Sequence, residues 1–489
     1  MKGVLFVLAF MAVALFAGLV MAVLGGIGLL LLFPLAAALL VASNYRIGVV
    51  LLAIIIPLAG SVLVPKAEGL NPYTYATAAA VVGLMLKRFF SPEKMVWPPR
   101  VMIFSFLIPL LAAFVIGVPH LAEGARNMLK LNSELRFDTL YYFRQYVYKP
   151  MLLVGFSILL ANAVSDSKRP ERFVTVFGVS AACVVVYVIA FTLYSGVGWG
   201  AHRLVISKAG MHYNEYGQLF ALAFGPLLFV AFAEKGFSRF VFGSMAMIVL
   251  IGLVFNFARA GMIATIVTVG IFLWRRKSIG VGLLVVGLAF IVVALAPDEW
   301  RLRMMQGSSE FGTSVRGERY GELTSGRVQA WIYLFPDVAL SPIFGRGIGS
   351  TLWNSAVTSG LYPSASHPHN MYLQLLLDIG VVGLVFILYF YFSVLAVMRK
   401  LSNDSGLHPR LRAFFAGSWA SLVGMLFLAF TGGNWYPSSE QAFLWISIGM
   451  AMAYWHRARQ ESPEIVLNPV SAGATEARTS ALVRGWTGR

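Results

Sequence analysis

Charged residues are scarce in this chain. They make up 12% of its 489 residues, whereas apolar residues make up 58% and the mean hydropathy is +0.77. A soluble domain typically carries about 25% charged residues, so there are too few polar side chains here to cover a soluble globule of this size. The composition therefore excludes a soluble enzyme, a disordered protein and a fibrous repeat, and it favours a polytopic membrane protein.

Cysteine and several common catalytic motifs are also missing. The single cysteine, Cys183, excludes a disulfide within the chain. The sequence contains no G-x-x-x-x-G-K-[ST] phosphate loop, no D-x-D pair and no H-E-x-x-H motif. These absences predict that the protein uses no bound nucleotide, no metal ion and no other cofactor.

The apolar stretches are unbroken and about 20 residues long, which matches a membrane-spanning α-helix and not an alternating barrel strand. We predict an all-α, polytopic integral membrane protein with about 14 transmembrane helices, and 12 as the lower bound. The predicted spans cover residues 4–22, 25–42, 46–64, 72–89, 100–118, 147–165, 172–194, 214–233, 239–257, 260–274, 279–296, 371–397, 411–430 and 441–456. Because only Gly25-Gly26 separates the first two, residues 4–42 form either two spans or one span and a re-entrant segment.

The short polar loops between the predicted spans carry most of the lysines and arginines. With the N-terminus in the cytoplasm, every short cytoplasmic loop holds at least one cation, as the positive-inside rule requires. Both termini are therefore predicted to be cytoplasmic, with a disordered tail over residues 457–489. Topology also explains the net charge of +17, so no nucleic acid partner is expected. The other side receives two moderate loops, 119–146 and 195–213, and one large loop, 297–370.

A group of short motifs lies in and around the large loop. His369-Asn370 is followed, after nine residues, by Gly380-x-x-Gly383. The upstream motifs, in chain order, are Arg259, Ser325-Gly326-Arg327 and the glycine series Pro342-x-x-Gly345-x-Gly347-x-Gly349. In spacing and order these residues resemble the O-antigen ligase and O-antigen polymerase superfamily of bacterial envelope glycan enzymes. The resemblance covers roughly residues 200–430.

The resemblance implies a membrane glycosyltransferase in the bacterial inner membrane, with its active site at the periplasmic face. Such enzymes move a glycan from undecaprenyl diphosphate to a sugar hydroxyl. The implied partners are the lipid-linked donor, a glycan or lipid A core acceptor, membrane lipid and other polysaccharide-assembly proteins. The chain then divides into N-terminal helices (1–196), a catalytic membrane domain (197–456) that includes the periplasmic loop 297–370, and the tail (457–489).

Three residues would carry this chemistry. His369 would be the general base that removes the proton of the acceptor hydroxyl, because imidazole titrates near neutral pH. Arg259 and Arg327 would hold the departing diphosphate, since guanidinium groups bind phosphate oxygens in pairs. A single displacement with one base predicts inversion at the anomeric carbon. The structural alternatives are a histidine that only begins a helix and arginines that only anchor the chain at the membrane surface.

Six further residues are candidates for substrate binding: Arg136, Arg144, Arg203, Arg346, Asn370 and Tyr372. Arg136 and Arg144 are interleaved with tyrosines that could stack on sugar rings or form an interfacial belt. Asn370 could orient His369 or cap the helix that follows. The glycine series could cradle phosphate through its N–H groups, although a tight loop is the favoured interpretation. Asp378 is expected to serve helix packing.

The motifs leave the acceptor open. A growing lipid-linked chain would make the protein a polymerase of O-antigen or exopolysaccharide, which the number of predicted spans favours. Lipid A core would make it an O-antigen ligase, and a protein hydroxyl would make it an O-oligosaccharyltransferase. A polysaccharide flippase or other transporter also has 12 to 14 helices but should show two similar halves, and no repeat is visible. A non-catalytic assembly protein would tolerate the loss of His369.

Overall fold

The computed structural model describes residues 40–59, 61, 72–91, 93–131, 137–196, 202–256, 258–277, 327–361 and 367–460. The predicted spans 4–22 and 279–296, nearly all of 25–42, the first part of the large loop and the tail beyond residue 460 lie outside the described residues.

The regular structure of the described residues is helical throughout, which confirms the predicted all-α class for this part of the chain. The helices, numbered in chain order, are α1 (Tyr45–Ile55), α2 (Pro72–Phe90), α3 (100–131), α4 (Thr139–Ser165), α5 (Arg172–Tyr194), α6 (His202–Lys208), α7 (Tyr213–Ala233), α8 (Gly236–Phe255), α9 (Arg259–Arg276), α10 (Arg327–Leu334), α11 (Ser355–Thr358), α12 (Met371–Asn403), α13 (Pro409–Leu428), α14 (Ala442–Met452) and α15 (Trp455–Gln460). Short 3-10 turns lie at Ile56–Leu58, Phe335–Leu340, Ser350–Trp353 and Ser439–Gln441.

Within the described ranges, seven helices are long and apolar enough to cross a membrane: α3, α4, α5, α7, α8, α12 and α13. Each of them corresponds to a predicted span. Helices α1, α2, α9 and α14 correspond to four further predicted spans, but they are shorter or less apolar. The protein is therefore a polytopic membrane protein, and the total of about 14 spans stays a prediction.

The segment 119–146, which was expected to be a loop, is mostly helical. Helix α3 continues through a 3-10 turn at Val118–His120 as far as residue 131, and α4 already begins at Thr139. Asp138 caps α4 by accepting a hydrogen bond from the N–H of Tyr141 at 2.7 Å. The last turns of α3 have a polar and an apolar face, so they lack the continuous apolar run by which a span is recognised.

Helix α7 lies at the centre of the bundle and packs against α8, α9 and α13. Its apolar stretch is 83% buried, compared with 28% for that of α8. A Cβ added to Gly225 of α7 would lie 2.8 Å from the carbonyl oxygen of Gly417 in α13. Small residues at such contacts allow the backbones of membrane helices to approach closely.

Polar contacts mark one end of the bundle. Asp166, just after α4, accepts hydrogen bonds from Lys87 at 2.6 Å and from Arg88 at 2.9 Å. Arg410 pairs with Glu234 at 2.7 Å where α7 ends and α13 begins. All of these cations belong to loops that were predicted to be cytoplasmic, and we call this end of the bundle the Asp166 end. Its assignment to the cytoplasm stays a prediction.

Helix α12 is broken at Gly380, whose φ of 63° and ψ of −167° are not helical. The segment 341–350 fills the break: the N–H of Val381 donates to the carbonyl oxygen of Pro342 at 2.9 Å. Only glycine adopts this backbone conformation without strain. The glycine series and the glycine motif of α12 are therefore two halves of one packing unit.

Asp378, two residues before the break, joins three segments of the chain. It is fully buried, and its Oδ1 accepts hydrogen bonds from the N–H of Ser350 at 3.1 Å and from its hydroxyl at 2.7 Å. Its Oδ2 accepts a hydrogen bond from the indole N–H of Trp435 at 2.8 Å. These contacts agree with the packing role expected for Asp378.

Candidate functional site

His369 lies two residues before the first residue of α12 and has an unusual backbone conformation. Its φ is 50°, in the left-handed region that residues with a Cβ rarely adopt. Asn370 caps the helix, because its Oδ1 accepts hydrogen bonds from the N–H groups of Tyr372 and Leu373 at 3.0 and 3.1 Å. The cap fixes the point where the chain enters α12 and so places His369 at the start of the helix.

His367 connects His369 to the segment between α13 and α14. The N–H of His369 donates to Nδ1 of His367 at 2.9 Å, and Nε2 of His367 lies 2.7 Å from Oδ1 of Asn434. Asn434 in turn donates from Nδ2 to Oε1 of the buried Glu440 at 2.7 Å. Because Nδ1 of His367 accepts a hydrogen bond, the neutral ring carries its proton on Nε2. We call His367, Asn434 and Glu440 the support chain of His369.

Helix α10 brings Arg327 to the two histidines. The indole N–H of Trp331 donates to the carbonyl oxygen of Pro368 at 2.8 Å, which docks α10 against the segment before α12. Arg327 lies one helical turn before Trp331, and its charge acts on both His367 and His369. Two of the three predicted catalytic residues, Arg327 and His369, therefore lie in one neighbourhood.

Arg259 begins α9, whose first turn packs closely on α7. A Cβ added to Gly261 would lie 2.6 Å from the carbonyl oxygen of Gly217. His212 caps the same end of α7, and its charge acts on His369. The first turns of α7, α9 and α12 are thus gathered at one end of the bundle, which we call the His369 end.

Burial and neighbouring positive charge keep both site histidines neutral. Burial has the largest effect on His369, followed by the charges of His367, Arg327 and His212, and together they lower its pKa to about 3. Burial likewise lowers the pKa of His367 to about 4, although its hydrogen bond to Asn434 acts in the opposite direction. A neutral imidazole has a lone pair on one nitrogen, so His369 is in the protonation state that a proton acceptor requires.

A buried amide lies beside the histidines. Gln374 of α12 is 4% exposed and lies near His367. Its side chain is in hydrogen-bond contact with His367, and this contact opposes the effect of burial by raising the pKa of that histidine.

The N–H groups of the glycine series are already used within the fold. Those of Arg346, Gly347 and Ile348 donate to carbonyl oxygens of α12 and α3 at 2.8 to 2.9 Å. These bonds favour the tight loop over a phosphate cradle, because the three groups are not left for a ligand. The guanidinium of Arg346 forms an ion pair with Asp337, which is 2% exposed.

The remaining predicted binding residues are more scattered. The hydroxyl of Tyr372 donates to a carbonyl oxygen of α13 at 2.7 Å. Arg144 lies over the ring of Tyr141, 5.9 Å from its centroid. Arg203 belongs to α6, but its side chain lies outside the described residues, as does the whole of Arg136.

The tyrosines near Arg144 pack inward. Tyr142 is fully buried, and its hydroxyl donates to the carbonyl oxygen of Ile348 at 2.8 Å. The ring of Tyr146 meets that of Tyr436 edge-on at 5.5 Å. These two tyrosines connect α4 to the glycine series and to the segment before α14, so Tyr142 is a packing residue and not a platform for a sugar.

Sequence reasoning missed Asn434 and Glu440. The available signal was the scarcity of charge: apart from His456, residues 413–456 contain Glu440 as their one ionisable acid or base of the types Asp, Glu, His, Lys and Arg. Among the described residues, no three His, Cys, Asp or Glu side chains are grouped so that they could hold a metal ion.

Comparisons with known proteins point to one family. Residues 244–388 match the O-antigen ligase family, and this region contains Arg259, Arg327 and His369. The chain is also similar to a protein of Rickettsia conorii (strain ATCC VR-613 / Malish 7) that is provisionally named a polysaccharide ligase. The two are 25% identical over 138 residues, which cover 26% of this chain and 31% of that protein.

Proposed function

We propose that this chain is a membrane glycosyltransferase of the O-antigen ligase superfamily, which moves a glycan from undecaprenyl diphosphate to an acceptor hydroxyl. The match of residues 244–388 to the O-antigen ligase family supports this proposal. The observation that carries the proposal is the half-buried, neutral imidazole of His369 beside the charge of Arg327 at the start of α12. One group can accept a proton and the other can hold an anion. The lipid diphosphate is already an activated leaving group, so the reaction needs no nucleotide.

In the proposed reaction, the acceptor hydroxyl approaches a ring nitrogen of His369. The imidazole takes the proton while the hydroxyl oxygen bonds to the anomeric carbon, and the bond from that carbon to the diphosphate oxygen breaks. The electron pair stays on the diphosphate, whose charge Arg327 and Arg259 stabilise. Because the attack and the departure occur on opposite faces of the carbon, the product is inverted. The support chain keeps His369 oriented.

We place the His369 end of the bundle at the periplasmic face of the inner membrane. The reason is the set of cation-rich short loops at the opposite, Asp166 end. The diphosphate would then lie at the level of the lipid head groups. Arg136, Arg144, Arg203, Arg346, Asn370 and Tyr372 are proposed to contact the donor or the glycan there.

A single substitution tests the chemistry. The purified full-length protein in detergent is mixed with a lipid-linked glycan and an acceptor, and covalent transfer is followed. His369→Ala should lower the rate by roughly 100-fold or more, the usual contribution of a general base. The control is His456→Ala, which alters an exposed histidine outside the site. Both variants should fold like the wild type. If folded His369→Ala transfers glycan at the wild-type rate, the proposal is wrong. A flippase would form no covalent product in this assay.

The identity of the acceptor distinguishes two candidate functions. We prefer a growing lipid-linked chain, which makes the protein a polymerase. The second candidate is a ligase that uses lipid A core, and the description of the Rickettsia relative as a polysaccharide ligase favours it. Incubation with lipid-linked repeat units alone should give a ladder of longer chains. If product forms only after lipid A core is added, the ligase is the correct assignment.

A further inference from the structure

A groove opens at the Asp166 end of the bundle, remote from His369. It lies between α9, α12 and α13 and has a volume of about 310 Å³. Its lining consists of Trp274, Arg275, Lys277, Arg399, Asn403 and Trp419. None of the catalytic or binding residues proposed above belongs to it.

Three of the six lining residues are cations, Arg275, Lys277 and Arg399, and none is an acid. At another point of this end, by contrast, Arg410 is matched by an acid, Glu234. Arg399 is close enough to Arg275 for the two charges to repel each other. An anion held in the groove would relieve this repulsion.

The guanidinium of Arg275 is held in position by its surroundings. Its Nη2 lies 3.1 Å from Oδ1 of Asn403 and 3.3 Å from Oγ of Ser402. Its Cζ lies 6.0 Å from the ring centroid of Trp419. Because the group is already oriented, it loses little freedom when it binds phosphate oxygens.

Two indole rings accompany the cations. Trp274 is 69% exposed, and Trp419 is partly buried in the groove. Tryptophan rings prefer the head-group level of a bilayer, where one part of the ring meets apolar chains and another meets water. The groove therefore presents positive charge and aromatic surface together, which suits a ligand that is itself amphipathic.

We propose that this groove is a binding site for an anionic phospholipid, with the lipid phosphate held by Arg275, Lys277 and Arg399 and the glycerol and first acyl carbons packed on Trp274 and Trp419. Basic pockets between membrane helices recognise anionic head groups through this combination of charges. The bound lipid would tie the end of α9 to α12 and α13.

The test counts the lipids bound to the purified full-length protein by native mass spectrometry. The probes are phosphatidylglycerol and, with the same acyl chains, phosphatidylcholine; inorganic phosphate is a third probe. We expect phosphatidylglycerol to bind and to raise the melting temperature, while phosphatidylcholine and inorganic phosphate do neither. The triple variant Arg275→Gln/Lys277→Gln/Arg399→Gln should weaken phosphatidylglycerol binding on the order of 100-fold, as expected for three lost cation contacts.

The matched control is Lys168→Gln/Arg169→Gln/Arg172→Gln, which removes three exposed cations from the same end of the bundle. It should bind phosphatidylglycerol as the wild type does. Equal weakening in both triple variants would overturn the proposal, because general surface charge would then explain the binding. Binding of inorganic phosphate as tight as that of the lipid would overturn it too. If the groove triple variant does not fold, Arg399→Gln is compared with Lys168→Gln by the same criteria.

Discussion

The side-chain oxygen of Asn434 lies 2.7 Å from Nε2 of His367, although the two residues are 67 positions apart in the chain. Nδ1 of the same ring accepts the N–H of His369. The contact therefore fixes which nitrogen of His367 carries the proton, and it ties the backbone of His369 to the segment between α13 and α14. Asn434 and His367 act as positioning residues for the proposed base.

The first prediction concerns Asn434. Asn434→Leu removes the acceptor for His367 and the donor for Glu440, so His369 loses its fixed backbone position. We expect kcat to fall about 10- to 100-fold with little change in KM, because misplacement of a catalytic group is costly while substrate contacts remain. Steady-state kinetics of the purified variant measure this.

Ser438→Ala, in the same segment, is the control, and it should retain wild-type kinetics. His367→Ala/Asn434→Leu should be no slower than the slower single variant, because both substitutions break the same chain. Additive losses would show that the two residues act separately.

The second prediction concerns pH. Neutral His369 is the active base, and its pKa is lowered to about 3, so activity limited by this group is full at neutral pH and is lost only as the pH falls through that value. An unperturbed histidine would lose activity below a pH of about 6.5. Profiles of kcat/KM against pH for the wild type distinguish these cases.

Arg327 contributes to that shift, so its removal should move the profile. Arg327→Gln takes away a positive charge, which makes the protonated imidazole easier to form and raises the pKa of His369. The acidic limb should move to higher pH, and the rate should fall because the diphosphate loses a partner. Arg169→Gln, an exposed cation at the opposite end, should change neither. If the acidic limb of the pH profile is unchanged in Arg327→Gln, the charge of Arg327 does not influence the pKa of His369.

The third prediction concerns the break in α12. Gly380→Ala forces a Cβ into a backbone region that is essentially reserved for glycine and places it 2.6 Å from the N of Phe344. We expect a loss of about 1–3 kcal/mol from the backbone alone, and more from the displaced 341–350 segment. Thermal unfolding in detergent measures it.

Gly243→Ala in α8 is the matched control, because a Cβ there meets no atom within 4 Å. It should leave the melting temperature unchanged or slightly raised. Equal stability of the two variants would contradict the packing unit described here.

The fourth prediction concerns Arg346. Arg346→Gln leaves the carboxylate of Asp337, which is 2% exposed, without its cation, and we expect it to destabilise the fold by about 3–5 kcal/mol. Asp337→Asn/Arg346→Gln removes both charges and should recover most of the stability, whereas transfer activity should stay low because Arg346 is proposed to contact the donor or the glycan. Recovery of transfer activity together with stability would show that Arg346 acts only as the partner of Asp337.

Much of the fold could be predicted because lipid imposes a simple rule on the sequence. Unbroken apolar runs such as 172–194 and 214–233 become helices α5 and α7 almost residue for residue, since the backbone must satisfy its hydrogen bonds internally. The segment 119–146 did not follow this rule. Its helices carry a polar face, and an apolar run is then no guide to where they begin and end.

The residues of the candidate site likewise include some that could be predicted from the sequence and others that could not. His369, Arg327 and Arg259 were found from motifs, because each stands in a local pattern that the sequence displays. Asn434 and Glu440 stand in no such pattern, and they reach His367 only because α12, α13 and α14 pack together. The partner of Arg346 was also hidden, since an ion pair over nine residues depends on how the 3-10 turn at Phe335–Leu340 folds back.

The sequence by itself determined that this protein lies in a membrane, where its long helices lie along the chain, and which residue is the proposed base. Those properties depend on composition, on the length of apolar runs and on local spacing. The tertiary structure decided the tautomer of His367, the approach of Arg327 to His369, the use of the glycine series as packing, and the groove of cations at the Asp166 end. Each of these depends on contacts between helices that are remote in the chain, and such contacts are fixed only when side chains pack in three dimensions.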